Sequence, residues 1–154
     1  KRVVIISLLL LLVSVIGISS YFLFKDKINL LDVDHSAVDW NGKKQKDTSG
    51  EENTIAIPGF EKVTLYANET KQAVNFHNPE INDCYFKISL IHPDGSVLWI
   101  SDLIEPGKGM YSIELEKTLA VGEYENAVLK YECFSLNDQS PLNGSEINLK
   151  LVVV

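Results

Sequence analysis

Val3 to Phe24 reads VVIISLLLLLVSVIGISSYFLF, 22 residues without a charge. A helix that crosses a hydrocarbon core of about 30 Å needs about 20 apolar residues at ~1.5 Å each. This run is therefore long enough to span a bilayer. Ser14, Ser19 and Ser20 can return their hydroxyls to the backbone and so are tolerable in lipid. Tyr21, Phe22 and Phe24 fall where an aromatic belt meets the headgroups. Residues 1–25 are accordingly expected to form an uncleaved transmembrane signal-anchor helix. The competing reading is a cleaved signal peptide, which carries a shorter apolar region, roughly 7–15 residues, and a small-x-small cleavage site. Here the run is longer and ends in bulky Tyr21-Phe22-Leu23-Phe24, and no Cys follows it to make a lipoprotein anchor. Lys1 and Arg2 before the run balance Lys25 and Lys27 after it, so flanking charge does not orient it.

Charge is unevenly spread beyond the run. Residues 1–52 hold 7 Lys/Arg and 7 Asp/Glu, whereas residues 53–154 hold 7 Lys and 14 Asp/Glu, which accounts for the whole net charge of −7. Phosphate binding needs clustered Lys and Arg, so a nucleic-acid partner is excluded. Residues 26–53 are expected to be a polar spacer, because Leu30, Leu31, Val33, Val38 and Trp40 are too sparse for a core and 41–53 has no apolar side chain. Asp32, Asp34, His35 and Asp39 do not have the alternate-position spacing and terminal Glu of an EF-hand loop. Trp40 has two possible partners, the membrane interface and the domain.

From Thr54 the pattern has period two, broken by turn residues, so residues 54–154 are expected to be an all-β ectodomain. Strands are predicted at 54–57, 62–67, 72–77, 84–92, 97–100, 110–115, 122–134 and 145–154. Cys84, Phe86, Ile88 and Leu90 face one way, as do Ala127, Leu129, Tyr131 and Cys133. Tyr111, Ile113 and Leu115 are assigned to one face, and Ile147, Leu149, Leu151 and Val153 to another. Asn143-Gly144 reads as a hairpin turn before the last strand. Alternation leaves one face of each strand wet, so the inner faces of two sheets must meet to bury these side chains. About eight strands in some 100 residues fit an antiparallel two-sheet sandwich.

Cys84 and Cys133 are the only cysteines and both fall on inward positions. In a domain outside the cytoplasm such a pair is best explained by a disulfide, whose loop of about 50 residues would contribute roughly 3–4 kcal/mol. The alternative is two buried free thiols. The disulfide in turn argues for a cytoplasmic N-terminus and an extracellular C-terminal domain.

Leu119-Ala-Val-Gly122-Glu123-Tyr124 resembles the turn into strand F of immunoglobulin-like domains, where a Tyr pins the corner. Ile104-Glu105-Pro106-Gly107 followed by a strand and then Gly-Glu-Tyr resembles short extracellular bacterial sandwich domains. The whole pattern is similar to small membrane-anchored surface proteins of Gram-positive bacteria. It implies an immunoglobulin-like antiparallel β-sandwich preceded by one N-terminal transmembrane helix. Cys133 stands nine residues after Tyr124 rather than two, and no Trp lies within the Cys84 strand, so an antibody-type domain is not implied.

No residue cluster specifies a reaction. His35, His77 and His92 are scattered, and G-x-S-x-G, H-E-x-x-H, Walker A and C-x-x-C are all missing. Glu114/Glu116 and Glu123/Glu125 are carboxylate pairs at i, i+2, a spacing more usual for a solvated strand face than for a glycosidase. Leu98 with Trp99, or Tyr85 with Tyr111, could form a carbohydrate platform; Asp94, Asp102, Glu105 and Asp138 are loop acids that could hold Ca²⁺. Asn68-Glu-Thr70 and Asn143-Gly-Ser145 match glycosylation acceptors, which carry little meaning in a bacterial host. The expectation is a non-enzymatic, cofactor-free, membrane-anchored domain that contacts a protein partner at the cell surface or serves a cell-envelope assembly. A tethered carbohydrate- or Ca²⁺-binding module is the alternative.

Overall fold

The computed structural model describes residues 30–42 and 54–154, and those from Leu31 onward belong to one folded unit. The strands are β1 (Val38–Asp39), β2 (Lys62–Leu65), β3 (Lys71–His77), β4 (Cys84–Ile91), β5 (Val97–Ile100), β6 (Lys108–Glu114), β7 (Gly122–Ser135) and β8 (Pro141–Val153). They make a three-stranded sheet in the order β1-β6-β3 and a five-stranded sheet in the order β2-β8-β7-β4-β5. All neighbours are antiparallel except β2 and β8, which run parallel. The fold is thus all-β with two sheets. The helix expected at 1–25 lies outside the described residues, among which no helix is long and apolar enough to cross a membrane.

The alternation read in β4 and β7 sets the core. The two strands pair without interruption from Cys84↔Ser135 to Ile91↔Val128. Period two then puts Phe86, Ile88 and Leu90 beside Leu129, Tyr131 and Cys133 on one buried face. Phe76, Met110 and Ile113 of the three-stranded sheet join the same apolar cluster, with Phe76 and Trp99 stacked at 5.8 Å between ring centres. Each fully buried side chain of this size contributes about 1.5–3 kcal/mol. Tyr131 is buried whole; its hydroxyl donates to the Pro58 carbonyl at 3.3 Å, and burial pushes its phenol far above the ordinary tyrosine range.

Alternation fails where the backbone is irregular. A bulge in β3 between Ala73 and Phe76 shifts the register against β6. Met110 and Ile113 both turn inward, so Tyr111 does not share the face of Ile113 and Leu115 but stands exposed. Asn143-Gly144 is not the hairpin turn. The chain reverses at Leu136–Ser140, where the Ser135 N–H donates to the Ser140 carbonyl and Gln139 takes a positive φ of 54°. Gly144 lies inside β8, in such close approach that a Cβ there would fall 2.2 Å from the Tyr131 carbonyl oxygen. Tyr124 donates its hydroxyl to the Ala120 carbonyl at 2.9 Å and pins the entry to β7.

Two stretches depart from the predicted boundaries. Thr54–Ile57 is not a strand. Residues 31–42, assigned to the polar spacer, are part of the folded unit, while 26–29 and 43–53 lie outside the described residues. Leu103 donates to Asp32 and accepts from Asp34, Ile104 exchanges two hydrogen bonds with Phe86 of the five-stranded sheet, and β1 pairs with β6 of the other sheet. This strap therefore bonds directly to the three-stranded sheet and reaches the five-stranded sheet through Leu103–Ile104.

Carboxamide side chains complete the pairing where strands are missing. Asn82 accepts from the Ala56 N–H at 2.8 Å and donates to the Ala56 carbonyl at 3.0 Å, with its second N–H on Asn78 Oδ1. Gln72 accepts from Tyr66 N–H and donates to the carbonyls of Tyr66 and Glu69. Gln139 accepts from Leu31 N–H at 2.6 Å and donates to the Leu31 carbonyl at 3.0 Å. Asn78, fully buried, donates to the carbonyls of Cys84 and Ile104. An amide offers a donor and an acceptor side by side, so it imitates one rung of a ladder. Replacing Asn82 by Ala strips Ala56 of both partners inside the protein. Asn82→Ala is expected to lower the unfolding free energy by about 2–4 kcal/mol in urea titrations, since each orphaned buried group costs about 1–3 kcal/mol; a change below 1 kcal/mol would contradict this role.

Candidate functional site

The strap brings together residues that are distant in sequence. Trp40 stacks on His77 with ring centres 3.7 Å apart and planes 8° from parallel, and its indole N–H donates to Asn75 Oδ1 at 2.7 Å. Beneath them Gly109 is required, because a Cβ there would lie 2.7 Å from Trp40 Cδ1 and 2.9 Å from both His77 Cβ and the Phe76 carbonyl. Tyr111 donates its hydroxyl to Asn41 Oδ1 and accepts from the Asn41 N–H, both at 2.9 Å. Lys108 meets Asp39 at 2.6 Å; the pair holds Asp39 below the usual carboxylate range and raises Lys108. Trp40 thus packs on the domain, the second of the two partners open to it in the sequence.

His77 is buried, and its Nδ1 has no hydrogen-bond partner. Burial lowers its pKa to about 4, against a partial opposing pull from the backbone of Asn75. This imidazole is neutral at pH 7.

Where β1 ends, the side of the domain opens into a notch of about 290 Å³ beside β6. Its floor is Trp99, Met110 and Ile113, and Asp34, Ser112 and Glu114 stand at its walls with Lys71. Asp34 is held by its own turn: Oδ1 accepts from the Ser36 N–H and hydroxyl, and Oδ2 accepts from the Asp102 N–H.

The other residues singled out in the sequence take structural parts. His35 lies in the turn before β1, His77 in β3 and His92 after β4 next to Asp94, at 3.0 Å from its Oδ1. Asp94 accepts from the Ser96 N–H and Asp138 from the Ser140 N–H, and these turn contacts hold both carboxyls below their usual range. Glu123 and Glu125 both reach Lys150, at 3.0 and 2.6 Å, and Glu114 accepts from the Thr70 hydroxyl. Leu98 and Trp99 are buried and present no platform. Among the described residues no three His, Cys, Asp or Glu side chains converge as metal ligands would. Asn75, Asn78, Asn82 and Gln72 were missed as structural residues; an amide within an otherwise apolar or strand segment is the one signal that marks them.

The expected Cys84–Cys133 disulfide is not formed; both are buried free thiols. Register is the reason. Cys84 sits opposite Ser135 and Cys133 opposite Phe86, so the cysteines are diagonal neighbours rather than facing ones. Diagonal pairs stand about 7–8 Å apart, beyond the roughly 4.4–6.8 Å between Cα atoms that a disulfide spans. The neighbouring thiol lowers Cys84, and the same neighbour together with burial raises Cys133. The support that a disulfide lent to an extracellular domain falls with it. Comparisons with protein-family models, with curated proteins and with solved structures found no match to this chain.

Two measurements follow. Unfolding restores an ordinary imidazole with a pKa near 6.5, so between pH 6.5 and 4 the unfolded chain binds more protons than the folded one. The His77 contribution is present in full above pH 6.5 and declines as pH falls toward 4, by up to about 3 kcal/mol. In Trp40→Ala the His77 resonance in an NMR titration is expected to move toward 6.5 and the pH slope of stability to shrink; titration near 6.5 in the unsubstituted protein would contradict the burial. Thiol labelling without reductant should find no reactive cysteine in the folded chain and two after denaturation, and finding none after denaturation would restore the disulfide.

Proposed function

We propose that this chain is a non-enzymatic, single-pass membrane protein that presents an immunoglobulin-like β-sandwich on the outer face of a cell membrane, where the domain engages a protein partner or serves an envelope assembly. The observation that carries this reading is the uncharged run from Val3 to Phe24, separated from the folded unit by only residues 25–30. A run of this length has a span of lipid as its natural solvent. For the immunoglobulin-like relation the support is the Tyr124 hydroxyl on the Ala120 carbonyl, a corner bond of the kind that opens strand F in such domains.

An interaction role is favoured over a tethered ligand-binding module by what the polar groups are doing. The loop carboxylates Asp94 and Asp138 are engaged in their own turns, Glu123 and Glu125 are paired with Lys150, and the Tyr111 hydroxyl is held by Asn41. A binding site for sugar or Ca²⁺ needs such groups free and convergent. The sheet edges, by contrast, offer hydrogen-bonding backbone.

Membranes from cells expressing the full chain with a C-terminal tag test the placement. The tag is expected to stay with the membrane through alkaline carbonate and to be cut from intact cells by added protease. A mature chain that begins beyond Tyr21 and is released to the supernatant, or a tag protected in intact cells, would overturn the reading.

A further inference from the structure

We propose that the edge of β6 from Tyr111 to Glu114 accepts one extended, basic segment of a partner protein as an added strand. This deepens the interaction reading above by naming the edge and the chemistry of what it takes.

The case rests on comparing the sheet edges. On β5 the outward carbonyl of Leu98 already accepts the Glu116 N–H, and Lys117 donates to the Ser96 hydroxyl beside it. The outer edge of β3 is interrupted by the bulge between Ala73 and Phe76. β2 is four residues long, confined between Pro58-Gly59 and the Asn68 turn, and carries Lys62, a residue that natural edges use against pairing. β6 differs. β1 covers it at Lys108 and Gly109 only, and among the described residues no strand lies on that side of Tyr111–Glu114. Strand addition supplies the backbone partners that such an edge lacks. Four residues give about 13 Å of pairing at ~3.3 Å each.

The notch beside this edge selects what can fill it. Its floor of Trp99, Met110 and Ile113 is apolar, so one face of an added strand can bury a side chain there. Its surroundings are acidic. Asp34 and Glu114 stand at the walls, Asp102 is bonded to Asp34 through its N–H, and Glu116 follows the strand, against Lys71 at the notch and Lys117 after Glu116. A second copy of the chain would bring the same carboxylates to face these. Like charges across an interface repel, whereas Lys or Arg at alternate positions of an incoming strand meet them with opposite sign. The occupant is therefore a basic segment of a partner protein and not the same acidic edge of a second copy.

The full chain in detergent micelles is titrated with a six-residue peptide alternating Lys and Val, capped at both ends, and followed by amide resonances and hydrogen exchange. The expected result is shifts and slowed exchange confined to Tyr111–Glu114 and the notch. The same peptide methylated on alternate backbone nitrogens should lose this effect, and a Glu/Val peptide should bind at least about tenfold more weakly. Glu114→Gln, at a carboxylate that accepts from the exposed Thr70 hydroxyl, should weaken the Lys/Val peptide severalfold and flatten its salt dependence. Equal affinity for both charge types, protection at β2 or β5 instead, or no binding at millimolar peptide overturns the proposal, as does self-association through this edge. Membrane placement is read independently. Peptide binding by a chain that washes from membranes discards the anchor and keeps the edge, and a firmly anchored chain with an unreactive edge does the reverse.

Discussion

Wherever the chain runs beside the sheets without becoming a strand, its N–H and C=O groups lose water and need replacement partners. Three carboxamides meet that need at three places. Asn82 pairs with Ala56, Gln72 with Tyr66 and Gln139 with Leu31, each through a donor and an acceptor on the same side chain. Asn78 extends the Asn82 contact into the interior by reaching the carbonyls of Cys84 and Ile104. Such bonds are each modest in net stability, near 1 kcal/mol, but expensive to leave unmade. They fix the path of segments that have too few apolar residues to fix it themselves.

The strap at 31–42 shows the consequence for packing. Its entry is held by Gln139, its middle by Leu103 and its end by β6 and His77, so it closes one side of the two sheets up to the point where β1 stops. Trp40 stacks on His77, and Gly109 supplies the clearance beneath it. The same two strand residues that close the sheet at Lys108 and Gly109 leave Tyr111–Glu114 with no strand on the side away from β3 among the described residues. Closure and opening on this side therefore have one cause, the shortness of β1.

The cysteines show how finely register decides chemistry. Both point inward and both belong to adjacent strands, as the alternation requires. An offset of two residues turns a facing pair into a diagonal one. The two remain buried free thiols, with Cys84 the more acidic of the two. No redox compartment follows from them.

Period-two alternation was enough to place β4, β5, β7 and most of β8, and the inward faces of Phe86, Ile88, Leu90, Leu129 and Tyr131, because burying one face of a pleated strand leaves that signature in any sequence. The 22-residue apolar run is likewise a property of the sequence alone. The pairing order of the strands, the parallel β2–β8 contact, the bulge opposite Met110 and the diagonal cysteines were not legible, since alternation says which way a side chain points and not which strand lies beside it. Nor was the strap, whose few apolar residues read as a linker until Trp40 found His77. Local pattern is set by neighbours along the chain, whereas the edge, the notch and the amide contacts are made by residues up to 108 positions apart, whose meeting only the folded arrangement decides.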